Sequence, residues 1–84
     1  MTRREFIEEH NPDAIVWDGL DDAIIAVTTN GNAVYDIAKI HEILMKEFKM
    51  TLDEAIDYAE YNILCAHVGE FTPIHIAISY NETN

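Results

Sequence analysis

Polar and apolar residues between positions 51 and 69 repeat with the period of a helix. Leu52, Ala55, Ile56, Ala59, Ile63 and Ala66 recur at i, i+3, i+4, i+7, i+11 and i+14, which places one apolar stripe along a helix surface. Thr51-Leu-Asp-Glu54 has the form of a capping box, in which Thr51 accepts from the Glu54 amide and Glu54 from the Thr51 amide. Gly69 is the expected left-handed stop. No other stretch carries start, stripe and stop so completely.

The rest of the chain patterns around that helix. Thr2-Arg-Arg-Glu5 repeats the capping box and opens a short helix to about His10, with Phe6 and Ile7 inward; Asn11-Pro12-Asp13 ends it. Its two arginines sit where the helix dipole disfavours positive charge. Ala14 to Trp17 reads as a short strand and Asp18-Gly19 as a turn. Ala23 to Thr28 is a second strand, apolar on both faces. Asn30-Gly31 is a two-residue type I′ hairpin signal. That turn sets Thr29 opposite Asn32, Val27 opposite Val34 and Ala26 opposite Tyr35, with Ile25 near Asp36. Asp36 is placed to cap a further helix whose stripe is Ile37, Ile40, Leu44 and Phe48. After Gly69, Glu70 to Pro73 forms a loop. Ile74, Ile76, Ile78 and Tyr80 then alternate with His75, Ala77 and Ser79 as a strand with one apolar face, and residues 81–84 read as a frayed tail. The expected fold is α+β in one domain, in the order α-β-β-β-α-α-β. About four strands form a mostly antiparallel sheet with two helices on one face. Such a layer covers only one side, so the other side, carrying Ile24, Ala26 and Tyr35, is expected to be closed by a symmetric homodimer.

Charge narrows the functional classes. The 84 residues hold 16 acids against 5 bases, a net charge of −11. That sign disfavours nucleic acid and anionic membranes and favours a cationic partner. The few bases also weigh against a phosphoryl-transfer enzyme. With one cysteine, Cys65, the chain forms no internal disulfide, and a reducing cytoplasm is the expected compartment. The start of the chain lacks the apolar run of a signal peptide, and no apolar run is long enough to span a bilayer.

Four constellations are candidates for chemistry. Cys65, His67, His75 and His41 lack the paired spacings of zinc sites, and His41-Glu42 lacks the second histidine of a zincin, so no metal or cofactor is expected there. A Cys65–histidine nucleophile would need an electropositive setting that this chain does not offer. The turn acids Asp18, Asp21, Asp22 and Asp36 form a cluster suited to a hard cation or to acid–base work, but without the EF-hand spacing; turn and cap chemistry accounts for the same residues. On the outer face of the helix after Thr51, Asp53, Asp57 and Glu60 recur at i, i+4 and i+7, about 6 and 4.5 Å apart along the axis, flanked by Glu54 and Tyr61. Such a line imitates phosphates and suits a basic groove; a plain solvated face has the same pattern. Asn62 interrupts the apolar stripe and is expected to be half-buried, either locking the following loop or forming a polar pocket with Glu70, Thr72 and His75.

Asp18-Gly-Leu-Asp-Asp-Ala-Ile-Ile25, Val34-Tyr35-Asp36, Tyr61-Asn62 and Val68-Gly69-Glu70-Phe-Thr-Pro73 together resemble small uncharacterised proteins encoded by tailed phages, over most of residues 14–76. The resemblance carries no catalytic residue. It implies a setting in which small acidic products bind and block host proteins in the host cytoplasm. The reading favoured is therefore a small acidic, non-enzymatic interaction protein. The alternative is a metal-dependent or acid/base hydrolase working from the acidic turn cluster.

Overall fold

In the computed structural model, residues 1–77 are described, and these residues form a small α+β fold of three helices and a three-stranded mixed sheet. The helices are α1 (Arg3–His10), α2 (Ile37–Glu47) and α3 (Leu52–Ala59). The strands are β1 (Ile24–Val27), β2 (Ala33–Asp36) and β3 (Ile74–Ile76), in the order β1-β2-β3. The expected extension of the last strand through Ile78 and Tyr80, and the tail at 81–84, lie outside the described residues.

Local capping chemistry starts each helix. Thr2 and Glu5 form the capping box of α1, Thr51 and Glu54 that of α3, and the Asp36 carboxylate accepts from the Ala38 amide to open α2. The α1 arginines are held by partners beyond the helix. Arg3 donates to the Ile24 carbonyl at 2.6 Å and Arg4 reaches Asp21. Between α2 and α3, Lys49 takes the left-handed conformation at φ 60°, a position that favours glycine. The Met50 amide returns to the Leu44 carbonyl there.

Four expectations change. Residues 14–17 are not a strand. The Trp17 amide donates to the Tyr35 hydroxyl (2.8 Å) and the Ile15 amide to the Phe71 carbonyl (3.4 Å), so these donors leave the sheet ladder. The hairpin is not a type I′ turn, because among the described residues Lys49 alone of the non-glycines has a positive φ. Instead, Gly31 at φ 93° closes a Thr28–Gly31 turn by donating to the Thr28 carbonyl, and Thr28 then pairs with Asn32. This is the three-residue loop that ends in a left-handed glycine. The register accordingly runs Ile24–Tyr35, Ala26–Val34 and Val27–Ala33, with a bulge at Ile25.

The third change is at the helix after Thr51, which does not run to Gly69. It widens into a π turn at Glu60–Leu64 and ends at Cys65. Leu52, at the start of the stripe, is exposed, while Ala55, Ala59 and Ile63 are buried. The fourth is at β3, which lies parallel to β2 (Val34–Ile74, Tyr35–His75, Asp36–Ile76), the helices supplying the crossover a parallel pair requires. Ladder partners share a face, so His75 lies on the Tyr35 side and Ile74 and Ile76 on the Val34 side.

One core joins these elements. Ile24, Ala33 and Tyr35 of the sheet pack with Ile7, Ile40, Leu44, Ala55, Ala59 and Ile63 of the helical segments. Val34 is buried but stands outside that cluster, on the opposite face with Ala26 and the exposed Ile74. Ile24 and Tyr35 therefore belong to the core and not to an open face.

Candidate binding surfaces

The acidic face of α3 forms as its periodicity requires. Asp53, Glu54, Asp57, Glu60 and Tyr61 are all exposed, Tyr61 at 83%. They differ in availability. Glu54 Oε1 accepts from the Thr51 amide at 2.8 Å and so is engaged in the cap. Asp53, Asp57 and Glu60 make no ion pair among the described residues. Their carboxylates are free for an external partner.

The acidic turn is organised by a base. Arg4 forms a two-pronged contact with Asp21, Nε to Oδ2 at 3.1 Å and Nη2 to Oδ1 at 3.0 Å, and reaches Asp18 only at 3.5 Å. Asp21 thus has its charge met by a planar guanidinium. The Asp18 side chain is fully exposed. Asp22 is exposed, and Asp36 is bound to its own helix start. Among the described residues no group of three or more His, Cys, Asp or Glu side chains is arranged to hold a metal ion. Cys65 and His67 are exposed after the π turn.

The structure separates Asn62 from the other candidate pocket residues. Asn62 is exposed and donates to the Tyr58 carbonyl one turn back at 3.1 Å. The π turn rotates it out of the stripe. Thr72 Oγ1 accepts from the Val68 amide and donates to the Gly69 carbonyl, which fixes the loop. Glu70 is exposed, and its backbone carbonyl is what takes part. The buried amide that gathers this region is Asn32. Its Nδ2 donates to the Glu70 carbonyl (3.1 Å) and the Thr72 carbonyl (2.9 Å), while its Oδ1 accepts from the Thr28 hydroxyl (3.2 Å). The sequence signal for it was an Asn directly after the turn glycine.

His75 joins a different set. Its Nε2 accepts from Trp17 Nε1 at 3.0 Å, with the two rings nearly parallel and their centroids 6.2 Å apart, and the Tyr35 ring centroid lies 6.0 Å away. Burial pushes the His75 pKa below the usual imidazole value, which keeps the acceptor nitrogen unprotonated. Burial raises the Tyr35 pKa, and the hydrogen bond from the Trp17 amide opposes that rise. Beside this set lies a cavity of about 170 Å³ between Trp17, Phe48 and Tyr58, floored by Leu20, Leu44 and Ile63. A wider groove of about 440 Å³ runs between Asp21–Asp22 and the Lys39, Glu42 and Lys46 face of α2. It carries both signs of charge. No helix among the described residues is long and apolar enough to cross a membrane.

No family model matches the chain, and searches of curated proteins and of solved structures gave no match either.

Proposed function

We propose that the chain is a small acidic interaction protein that docks on a basic surface of another protein. The observation that carries this reading is the outward face of α3 and its π turn, where Asp53, Asp57 and Glu60 stand exposed and unpaired among the described residues. At a net charge of −11, a basic partner is drawn in at long range, while nucleic acid and anionic membrane are repelled. The resemblance to tailed-phage proteins supports a host protein as that partner.

Self-association belongs to the same proposal. Half-buried Ala26 and exposed Ile74 flank the buried Val34 on the sheet face away from the core, and a second copy packed there in a symmetric dimer would cover them. In light scattering, wild type is then expected at twice 9.6 kDa and Ala26→Glu at the monomer mass. A wild-type monomer overturns the dimer.

The docking reading is tested by capture from a bacterial lysate through a salt series, with the triple variant Asp53→Lys, Asp57→Lys and Glu60→Lys alongside. A partner held by wild type, released as salt rises and not held by the variant is the expected result. Equal retention by the variant would show that the acidic face is not the docking surface.

A further inference from the structure

The cavity between α3 and the Trp17 loop has a composition that selects its occupant. Three aromatic side chains wall it: Trp17, which is half-buried, and Phe48 and Tyr58, which are 55% and 44% exposed. The floor is aliphatic and belongs to the core. Asp18 also lines the cavity, with its side chain fully exposed and its Arg4 contact long at 3.5 Å, while the same guanidinium holds Asp21 at 3.0 and 3.1 Å. The indole N–H of Trp17 is already donated to His75, so the ring offers π surface and no free donor.

Size and charge then decide between ligands. At about 170 Å³ the cavity is well below the roughly 300–1,000 Å³ that hold a whole drug-sized ligand. It is close to the roughly 150 Å³ that takes up one benzene. The occupant is therefore the end of one side chain. Aromatic faces attract a cation, an aliphatic floor takes a methylene stem, and an exposed carboxylate in the lining pairs with a positive head. An anionic group would meet Asp18 and the net charge of −11. Tyr58 lies on α3 about 100° round the helix axis from Asp57, so the cavity opens on the flank of the helix that carries the acidic face.

We propose that this aromatic cavity receives a lysine or arginine side chain of the basic protein partner, with Trp17, Phe48 and Tyr58 around its stem and Asp18 on its charge. The proposal rests on the reading of the chain as a docking protein for a basic surface, and it names the point of specific recognition.

Trp17 is the chain's only tryptophan, so its emission reports the cavity directly. The probes are a blocked tetralysine peptide and its norleucine counterpart, which keeps the stems and removes the charge, titrated with fluorescence and calorimetry in parallel. Tetralysine is expected to change Trp17 emission saturably and norleucine to leave it unchanged. Asp18→Asn, at a fully exposed position where folding is not at risk, is expected to weaken the fluorescence titration by about fivefold. Tyr58→Ala is expected to do the same. An equal response to norleucine, or affinities unchanged in both variants, overturns the proposal. Calorimetric binding of tetralysine with no change in Trp17 emission also overturns it, but leaves the acidic-surface reading standing if the triple α3 variant abolishes that heat. Absence of both heat and emission change overturns both readings.

Discussion

Replacing Asn32 by aspartate removes two hydrogen bonds and adds a buried charge, with almost no change of shape. The side chain keeps its shape, and the Thr28 hydroxyl, which donates to Oδ1 at 3.2 Å, can donate to a carboxylate as well. What is lost is the donor Nδ2, which ties the Glu70 and Thr72 carbonyls at 3.1 and 2.9 Å and so holds the loop leading into β3 against the hairpin. Two such bonds contribute about 1 kcal/mol each, and a carboxylate that faces two carbonyl oxygens in a site only 8% exposed adds a desolvation cost of about 1–2 kcal/mol. The expected loss is about 3–4 kcal/mol. That is a large share of the roughly 4–13 kcal/mol that an 84-residue chain holds at 0.05–0.15 kcal/mol per residue.

Urea unfolding followed by circular dichroism reads this loss. With an m-value of about 1 kcal/mol per M for so short a chain, the midpoint of Asn32→Asp should fall by roughly 3–4 M. A pH series separates this cause from general disruption. The new carboxyl titrates above the ordinary aspartate range, because nothing there favours its charge. Protonated, it can donate to one of the two carbonyls. Its folded pKa is raised, so the stabilising form is present at low pH and lost as pH rises, and the gap to wild type should narrow as pH falls towards about 4. A loss under about 0.5 kcal/mol at neutral pH, or a gap that does not close on acidification, would refute Asn32 as the tie between hairpin and loop.

Three further outcomes are expected. In Gly31→Ala, the new Cβ meets Asn11 Nδ2 at 2.7 Å and Asn11 Cβ at 2.9 Å while φ stays at 93°; strain and the displaced Asn11 bond to the Gly31 carbonyl should cost about 2–4 kcal/mol in the same urea assay. Lys49→Gly relieves a left-handed lysine between α2 and α3 and should raise the midpoint, by about 0.5–1 kcal/mol in stability; an unchanged or lowered midpoint would count against strain at that cap. His75 is buried with its pKa lowered, so the unfolded chain takes a proton that the folded chain refuses, and this group's contribution is complete above about pH 6.5 and lost as pH falls through the folded value. His75→Gln should therefore show a smaller drop in urea midpoint between neutral and mildly acidic pH than wild type does, and equal drops would remove His75 as the cause.

What the sequence disclosed follows the range of the interactions involved. The caps of α1, α2 and α3 were legible because each is closed within three residues: Thr2 with Glu5, Asp36 with Ala38, Thr51 with Glu54. The acidic face of α3 was legible for the same reason, since helical spacing alone sets Asp53 and Asp57 on one side. The misreadings lie where a distant residue competes for a local group. Ala14 to Trp17 has the composition of a strand, yet the Tyr35 hydroxyl claims the Trp17 amide across 18 positions. Asn62 lies on the apolar stripe of a regular helix, and the π turn at residues 60–64 rotates it outward. Asn32 looked like one side of a two-residue turn, and the carbonyls its Nδ2 holds lie 38 and 40 positions away. Nothing in the spacing of Trp17, Phe48 and Tyr58 foretold that one cavity would join them.

The hairpin shows how one such misreading propagates to function. Side chains alternate across a strand, so a slip of one residue exchanges the two faces of the sheet. A two-residue turn would pair Ala26 with Tyr35 and leave Tyr35 on the side away from the helices. The structure pairs Ile24 with Tyr35 and lets Ile25 bulge outward, so that Ile24 and Ala26, two positions apart, end on opposite faces. This arrangement satisfies the phenol: Tyr35 is fully buried, and a buried hydroxyl without a partner is costly, which the Trp17 amide prevents. It also turns β3, since pairing His75 with Tyr35 brings the imidazole to the indole of Trp17 and sends Ile74 and Ile76 to the other side. The strand's apolar residues thus lie on the face away from the core and its one histidine on the core side, the reverse of what alternation alone suggests. Trp17, held at its amide by Tyr35 and at its indole by His75, is fixed as the back wall of the aromatic cavity. The register that buries Tyr35 therefore does two things at once: it fixes the Trp17 wall of the aromatic cavity, and it sets Ala26, Val34 and Ile74 together on the sheet face away from the core.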